Sequence, residues 1–261
     1  MKPQMLFLLI LPALVGCDQT PTGRTQLTLV PDYIMTDIGR QTFAQMRQSQ
    51  RVVTDTGVNR RVRCVAREIT KAAARLYPEA KMPETWEVAI FQNPTPNAFA
   101  LPGGHIGVHS GMLRVADNPA QLAAVIGHEV GHLLANHGNE RLTQQLGIKS
   151  VLLLVGLFGD INNAQILQAI GVGARLGITL PFSRAHEQEA DLMGLQMMAA
   201  AGFPPSQSVE LWRNMARSGG AQPIEFLSTH PAHETRIQNL RSHMTQALDR
   251  FHHAQPAACP P

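Results

Sequence analysis

The feature that most constrains the fold of this chain is the segment VIGHEVGHLLANHG, residues 125–138. It places three histidines and one glutamate inside an otherwise apolar run, as expected of a helix buried in a core. Asn118 can cap the start of this helix, and Pro119 suits its first position. Gly138 stands where a left-handed stop residue is expected. We therefore expect one long buried helix whose histidine and glutamate side chains can bind a metal ion or transfer protons.

His128 and His132 are four residues apart, so both imidazoles project from one helix face and can bind one metal ion. Glu129 lies beside them. This is the H-E-x-x-H arrangement of two zinc ligands and a general base for a metal-activated water. Core histidines without a metal are the alternative interpretation. His137 is expected to interact with the helix dipole rather than with the metal.

A catalytic zinc takes three protein ligands and leaves a position for water, whereas a structural zinc takes four. The candidate third ligand is Glu187, in the predicted helix SRAHEQEAD. Asp191 lies one turn further on the same face and can accept the remaining N–H of a ligand histidine. Glu189 points elsewhere by helical geometry, so we expect a surface carboxylate there. An acidic helix face without a metal is the alternative for all three.

Residues 1–16 have the pattern of a secretory signal peptide, because their apolar stretch is far shorter than the roughly 20 residues that cross a membrane. The residues before Cys17 resemble the bacterial lipobox, which predicts a lipidated Cys17. A plain signal peptide with a free Cys17 is the alternative. Asp18 favours retention in the inner membrane, a rule that varies among bacteria. Residues 17–32 are polar and aperiodic, so we expect a lipid-anchored tether, which could reach roughly 50 Å if extended.

The pattern of apolar residues predicts an α+β fold, mainly helical, with a small antiparallel sheet next to the H-E-x-x-H helix. The predicted strands are residues 86–91, 98–101 and 105–109. The other predicted helices are residues 33–48, 58–77, 183–202, 206–217 and 233–248. We expect one domain over residues 33–250 and a C-terminal tail over residues 251–261. Residues 148–180 are expected to form core or cover helices, with a lid or a lipid-contacting patch as the alternative.

The net charge and the cysteine content indicate which classes of partner and which cellular compartment to expect. The net charge is +3 and no dense run of basic residues occurs, so a nucleic-acid partner is not implied. Cys64 and Cys259 remain once Cys17 is assigned to the lipid. In an oxidising compartment they either form a disulfide between an early helix and the C-terminal tail or stay two unrelated thiols.

HEVGH followed by RAHEQEAD resembles the paired motifs of the HtpX/BepA/LoiP/Oma1-like family of zinc metallopeptidases, with the compact LoiP type of lipoprotein as the nearest likeness. Two further segments match that family in the expected order. They are NAFALPGG before the zinc helix and STHPAHETRI after it. Together the four segments extend from Asn97 to Ile237. The resemblance implies a zincin-like domain with one Zn²⁺ per chain.

The resemblance implies roles for individual residues. His128, His132 and Glu187 would be the zinc ligands, Glu129 the base, and Asp191 a support behind the ligands. An extended substrate would lie along an edge strand, because backbone hydrogen bonding grips any unfolded polypeptide. That strand comprises Asn97, Ala98, Phe99, Ala100 and Leu101.

Two residues of the last matching segment, STHPAHETRI, also correspond to family positions. His230 would approach the zinc. It would either stabilise the oxyanion of the reaction or occupy the open position and keep the enzyme latent. Arg236 matches a family arginine that we expect to be structural.

We predict a zinc-dependent metalloendopeptidase that is anchored by lipid on the periplasmic side of a Gram-negative membrane. Its predicted substrates are misfolded or unassembled envelope polypeptides, and envelope assembly or chaperone proteins are possible partners. A zinc-stabilised chaperone or assembly factor without proteolysis is the alternative. A deformylase-like hydrolase is disfavoured, since it would need a cysteine ligand and a cytosolic location.

Overall fold

The computed structural model of the chain describes residues 17–145, 147, 181–218, 225–230 and 234–261. The predicted signal peptide, residues 1–16, and the apolar segment 148–180 lie outside the described residues. Within the described ranges, no helix has the length and apolar character needed to span a membrane.

The described chain is mainly helical, with two small sheets, which confirms the predicted α+β class. The strands are β1 Cys17–Gln19, β2 Thr25–Leu27, β3 Glu87–Phe91, β4 Ala98–Leu101 and β5 His105–His109. The helices before the second motif are α1 Asp32–Ser49, α2 Thr56–Leu76, α3 Pro119–Leu134 and α4, which includes residues 137–145. Those after it are α5 Arg184–Ala200, α6 Gln207–Ser218, α7 Glu225–Thr229, α8 Glu234–Ser242 and α9 Met244–His252.

The single helix expected over residues 233–248 is wrong, because the chain forms two helices that meet at His243. The hydroxyl of Ser242 donates to the carbonyl of Asn239 at 2.8 Å, and His243 Nδ1 lies 2.9 Å from the same oxygen. Side chains that bond to a nearby carbonyl compete with the helical ladder. The helical periodicity of the sequence continues across this point and gives no sign of the break.

The main sheet has the order β3-β5-β4 and lies against α1 and α3. The β4 and β5 strands pair antiparallel, as expected, whereas β3 and β5 pair parallel, so the sheet is mixed. The reason is that β5 inserts between its two predecessors instead of following β4 outward. This order leaves β4 with β5 as its one strand neighbour in the described sheet, so β4 is an edge strand.

The two helices that carry the motifs begin at the caps predicted from the sequence. The side chain of Asn118 accepts from the N–H of Gln121 at 3.0 Å, and that of Ser183 accepts from the N–H of His186 at 3.2 Å. The predicted stop at Gly138 is wrong. Asn136 adopts the left-handed conformation, with φ 56°, and Gly138 lies inside α4. The chain therefore turns and begins a new helix beside the old one.

Helices α3 and α5 pack closely because glycines line their contact. A Cβ atom built on Gly194 would lie 2.8 Å from the backbone nitrogen of His128, and one on Gly127 would lie 3.1 Å from the carbonyl oxygen of Gly194. A Cβ on Gly131 would lie 3.0 Å from the oxygen of Ala190. Because the two backbones lie so close, side chains that flank these glycines on one helix contact side chains of the other helix.

The expectation that residues 17–32 form a tether without regular structure is wrong. The β1 and β2 strands form an antiparallel hairpin in which Cys17 pairs with Leu27. The N–H of Leu29 donates to Thr143 Oγ1 at 3.1 Å, and that of Val30 donates to Asn139 Oδ1 at 3.2 Å. Polar residues without periodicity are also those that form hairpins and bond to side chains, which is why composition alone misled.

Cys64 and Cys259 form a disulfide, which decides between the two alternatives left by the sequence. The bond joins α2 to the C-terminal tail across 195 residues of sequence. The tail is therefore held against the domain.

Candidate metal centre

Four buried side chains converge where α3 packs against α5. His128 and His132 come from α3, Glu187 from the first turn of α5, and His230 follows α7. One ligand-type atom of each lies within 4.8 Å of those of the other three. His132 Nε2 is 3.0 Å from His128 Nε2 and 3.4 Å from Glu187 Oε1. The structure thus brings together the three ligands predicted from the sequence and adds His230 to them.

The donor set of this group fits Zn²⁺, which takes imidazole nitrogen and carboxylate oxygen in a small cluster. Glu187 Oε2 is buried without a hydrogen-bond donor, although Arg236 Nη1 approaches it to 2.5 Å outside hydrogen-bond geometry. Burial lowers the pKa of His132 well below its usual range, which keeps the ring neutral as a ligand must be. Burial would raise the pKa of Glu187, but its contacts with the neighbouring His132, His230, His128 and Arg236 outweigh burial and hold that pKa below its usual range.

Glu129 lies beside this group and keeps one oxygen available. Its Oε1 is 3.5 Å from His230 Nε2 and has no hydrogen-bond partner, although it is buried. Burial raises the pKa of Glu129, against the lowering effect of His230 and His128. A carboxylate with a raised pKa and an available oxygen is suited to accepting a proton and returning it.

His128 is held from behind by Asp191, as the spacing on α5 predicts. Asp191 Oδ1 lies 3.0 Å from His128 Nδ1. The guanidinium of Arg236 donates to both oxygens of Asp191, at 2.7 and 2.6 Å, and stacks over the ring of Trp212 at 3.6 Å. Arg236, expected to be structural, thus contacts both Asp191 and Glu187. Burial would raise the pKa of Asp191, but the positive charge of Arg236 outweighs burial, so that pKa is lowered.

The expectations for His137 and Glu189 are wrong. His137 is fully buried, and its Nδ1 lies 2.9 Å from His132 Nδ1. Its other nitrogen, Nε2, lies 3.0 Å from Glu189 Oε2. Glu189 is buried as well, with its side chain 5% exposed. No local pattern could have identified this link, because Glu189 is 52 residues from His137 and 165 from its partner Arg24.

His230 occupies an aromatic niche next to the ligands. Its ring stacks on that of Phe226, with centroids 4.5 Å apart. Its Nδ1 lies 3.0 Å from Glu187 Oε1 and 3.2 Å from His128 Nε2. In this conformation His230 stands where a fourth ligand would be.

The predicted substrate strand, Asn97 to Leu101, coincides with β4 and the residue before it. The carbonyl of Asn97 accepts from the N–H of His109, so pairing with β5 begins there. A cavity of about 100 Å³ is bordered by Ala100 and Leu101 of the strand, by His132 and by Phe182. The carboxyl end of the strand therefore lies close to the metal ligands. Phe99, in contrast, packs against Phe91 and His109 on the sheet.

Comparison with known proteins agrees with this geometry. The model of the family described as "Peptidase family M48" matches residues 59–244. The chain is 38% identical over 174 residues to the mitochondrial metalloendopeptidase OMA1 of Saccharomyces cerevisiae. The matched region covers 64% of this chain and 49% of that protein. It is 31% identical over 189 residues to the beta-barrel assembly-enhancing protease of Escherichia coli. That match covers 68% of this chain and 38% of the relative.

The protein of the same name from Yersinia pestis is 28% identical over 244 residues, covering 86% of this chain and 50% of that protein. The chain therefore spans no more than half the length of these relatives.

Proposed function

Because the chain belongs to peptidase family M48, we propose that it is a zinc-dependent endopeptidase. The observation that carries this proposal is the buried group of His128, His132 and Glu187 with the available oxygen of Glu129 beside it. A zinc ion held there would polarise a water molecule and the scissile carbonyl. Three protein ligands leave room for that chemistry, whereas a purely structural site takes four.

In the proposed reaction, Glu129 accepts the proton of the attacking water and passes it to the leaving amine. Its buried position supports this cycle, because burial raises its pKa toward the range in which a carboxyl group both takes up and releases a proton. Asp191 holds His128 in one tautomer through the contact with Nδ1, and Arg236 fixes Asp191 in turn.

His230 is proposed to keep this conformation latent by standing in the fourth position. Its Nδ1 lies within 3.2 Å of both His128 Nε2 and Glu187 Oε1. A histidine in that position would compete with the water that the reaction needs. An oxyanion-stabilising role requires His230 to withdraw from the ligands while substrate is bound.

The proposed substrates are unfolded or unassembled polypeptides of the bacterial envelope. An edge strand beside the ligands supports this class, since it can bind an extended chain through backbone groups with little regard to sequence. The name of the Escherichia coli relative, a beta-barrel assembly-enhancing protease, favours an envelope location, whereas the OMA1 relatives are named as mitochondrial. Lipid anchoring through Cys17 and the closer likeness to the LoiP type remain part of this proposal.

The test is the substitution Glu129→Gln in the mature chain, with casein as an unfolded substrate. We expect the variant to retain one zinc per chain and to lose cleavage, because the amide cannot accept a proton. Glu84→Gln, which changes an exposed carboxylate, is the matched control and should cleave like the parent. Equal and measurable cleavage by Glu129→Gln and the parent would contradict the role of the base.

A second substitution separates the protease from the zinc-stabilised chaperone. The four-residue group favours the chaperone alternative if His230 is a permanent ligand, because four protein ligands close a zinc site. His230→Ala should raise the initial rate of casein cleavage if His230 maintains latency, and lower it if His230 stabilises an oxyanion. A zinc-loaded parent and a zinc-loaded His230→Ala that both bind casein without cleaving it would favour the chaperone.

A further inference from the structure

The hairpin formed by β1 and β2 inserts an arginine between two buried carboxylates. The guanidinium of Arg24 donates to Glu189 Oε2 through Nε at 2.6 Å and to Glu140 Oε2 through Nη2 at 2.7 Å. Thr22, in the same turn, donates its hydroxyl to Glu189 Oε1. The side chains of Glu189 and Glu140 are 5% and 8% exposed, so Arg24 supplies the charge that two buried carboxylates need.

This cluster continues to the metal ligands through His137. Glu189 Oε2 is 3.0 Å from His137 Nε2, and His137 Nδ1 is 2.9 Å from His132 Nδ1. His132 directs its other nitrogen, Nε2, toward His128 and Glu187. A ligand that binds through Nε2 keeps its proton on Nδ1. His137 must then accept at Nδ1 and donate from Nε2 to Glu189. The contact with Glu189 therefore fixes the tautomer of His137, and His137 in turn fixes the tautomer of His132.

We propose that Arg24 and Thr22 are positioning residues for the metal ligand His132, acting through Glu189 and His137. The inference rests on the proposed zinc site and makes the N-terminal hairpin part of it. The hairpin precedes the range matched by the family model, residues 59–244. Metal binding at His132 therefore depends on whether residues 22–24 are docked on the domain.

The physical reason is that Glu189 has two tasks. It accepts from His137 on one side and is held by the hairpin on the other. Without Arg24, Glu189 and Glu140 lose the cation between them, and Glu189 loses the charged donor to its Oε2. His137 could then rotate, and His132 would no longer be held in one orientation. A group that bonds directly to a ligand histidine, as His137 does here, is typically worth a factor of about 10–100 in metal affinity, which sets the upper bound for residues that act through it.

The test measures the zinc dissociation constant of the mature chain by competition with a chromophoric chelator. The variants are Arg24→Met, Glu189→Gln and the two combined. Arg47→Met, which removes a surface arginine paired with Glu87, is the matched control. We expect each single variant to bind zinc more weakly, by several-fold and by at most about 100-fold, and the control to match the parent.

If Arg24 acts through Glu189, the double variant should be no weaker than the weaker single variant. Additive losses, or a dissociation constant for Arg24→Met within twofold of that of the parent, would overturn the inference.

Loss of folding is separated from loss of positioning by circular dichroism of each zinc-free variant at the assay temperature. If Arg24→Met does not fold, Thr22→Val replaces it, since it removes only the hydroxyl that donates to Glu189. It should weaken zinc binding several-fold, and an unchanged dissociation constant would overturn the proposal. Because zinc binding is measured without substrate, a parent and a His230→Ala variant that both bind zinc but never cleave protein would refute the proposed function and leave this inference standing.

Discussion

The close approach of α3 and α5 predicts that one added methyl group disturbs the metal site from a distance. Gly194 lies two helical turns after Glu187 on α5, on the same face. A Cβ at this position would lie 2.8 Å from the nitrogen of His128, 3.0 Å from the carbonyl carbon of Gly127 and 3.1 Å from the Cα of His128. All three are backbone atoms of α3, so no side chain can rotate away to make room.

The size of the disturbance follows from these distances. Comfortable contact between heavy atoms begins at about 3.5 Å, so Gly194→Ala must move α5 away from α3 by about 0.7 Å. A zinc site tolerates errors of only about 0.2 Å in its ligand distances. Since His128 and His132 lie on one helix and Glu187 on the other, that separation exceeds what one shared ion allows. Overpacking of this kind costs about 1–3 kcal/mol.

The matched control is Gly138→Ala, because a Cβ there would meet only the methyl carbon of Met35, at 3.9 Å. Both substitutions place alanine in a helix and so gain a similar propensity term. We expect the free energy of unfolding of the zinc-free Gly194→Ala protein to fall about 1–3 kcal/mol below that of Gly138→Ala. Denaturant titration measures the stability and chelator competition the zinc affinity. Equal stability and equal zinc affinity for the two variants would refute the argument.

Three further predictions concern the support of the site. Reduction of the Cys64–Cys259 disulfide should lower the free energy of unfolding by up to about 5 kcal/mol, which a double serine variant measured without reductant should reproduce. Asp191→Asn should weaken zinc binding about 10–100-fold while leaving one zinc per chain at saturation, because His128 loses its carboxylate acceptor; unchanged affinity would contradict that role. Burial and the neighbouring His137 lower the pKa of His186 to about 4, so unfolding takes up a proton between pH 6.5 and pH 4. The stability should therefore fall by up to about 3 kcal/mol as the pH drops through that window, and His186→Gln should flatten the slope in denaturant titrations.

The parts of the site that depend on local helical geometry are those that the sequence predicts correctly. Helical geometry within a few residues determines the caps at Asn118 and Ser183 and the shared face of His128 and His132. It also determines the position of Asp191, one turn after Glu187 on α5. Such geometry is the same in any helix, so the spacing of residue types is enough to predict which side chains share a face.

Contacts that join distant parts of the chain are not predicted from the sequence. The bond from Arg24 to Glu189 spans 165 residues, and the bond from Arg24 to Glu140 spans 116. Helical geometry correctly directs Glu189 away from the face of Glu187, but the prediction of a surface carboxylate assumed that solvent lies there. The turn at Asn136 folds α4 back and brings His137 to that side instead. Which element covers a helix face is a property of the whole packing, and helix periodicity does not encode it.

The two histidines of the motif are consequently supported in different ways. His128 is backed directly by Asp191, which lies on the same α5 helix as Glu187, so its support forms whenever α3 and α5 pack. His132 is backed by His137 and, one bond further, by a carboxylate that the N-terminal hairpin holds. If the hairpin leaves its place, the first support survives and the second does not. The support of His128 therefore lies within the range that the family model matches, whereas the proposed support of His132 passes through His137 and Glu189 to Arg24, which precedes that range.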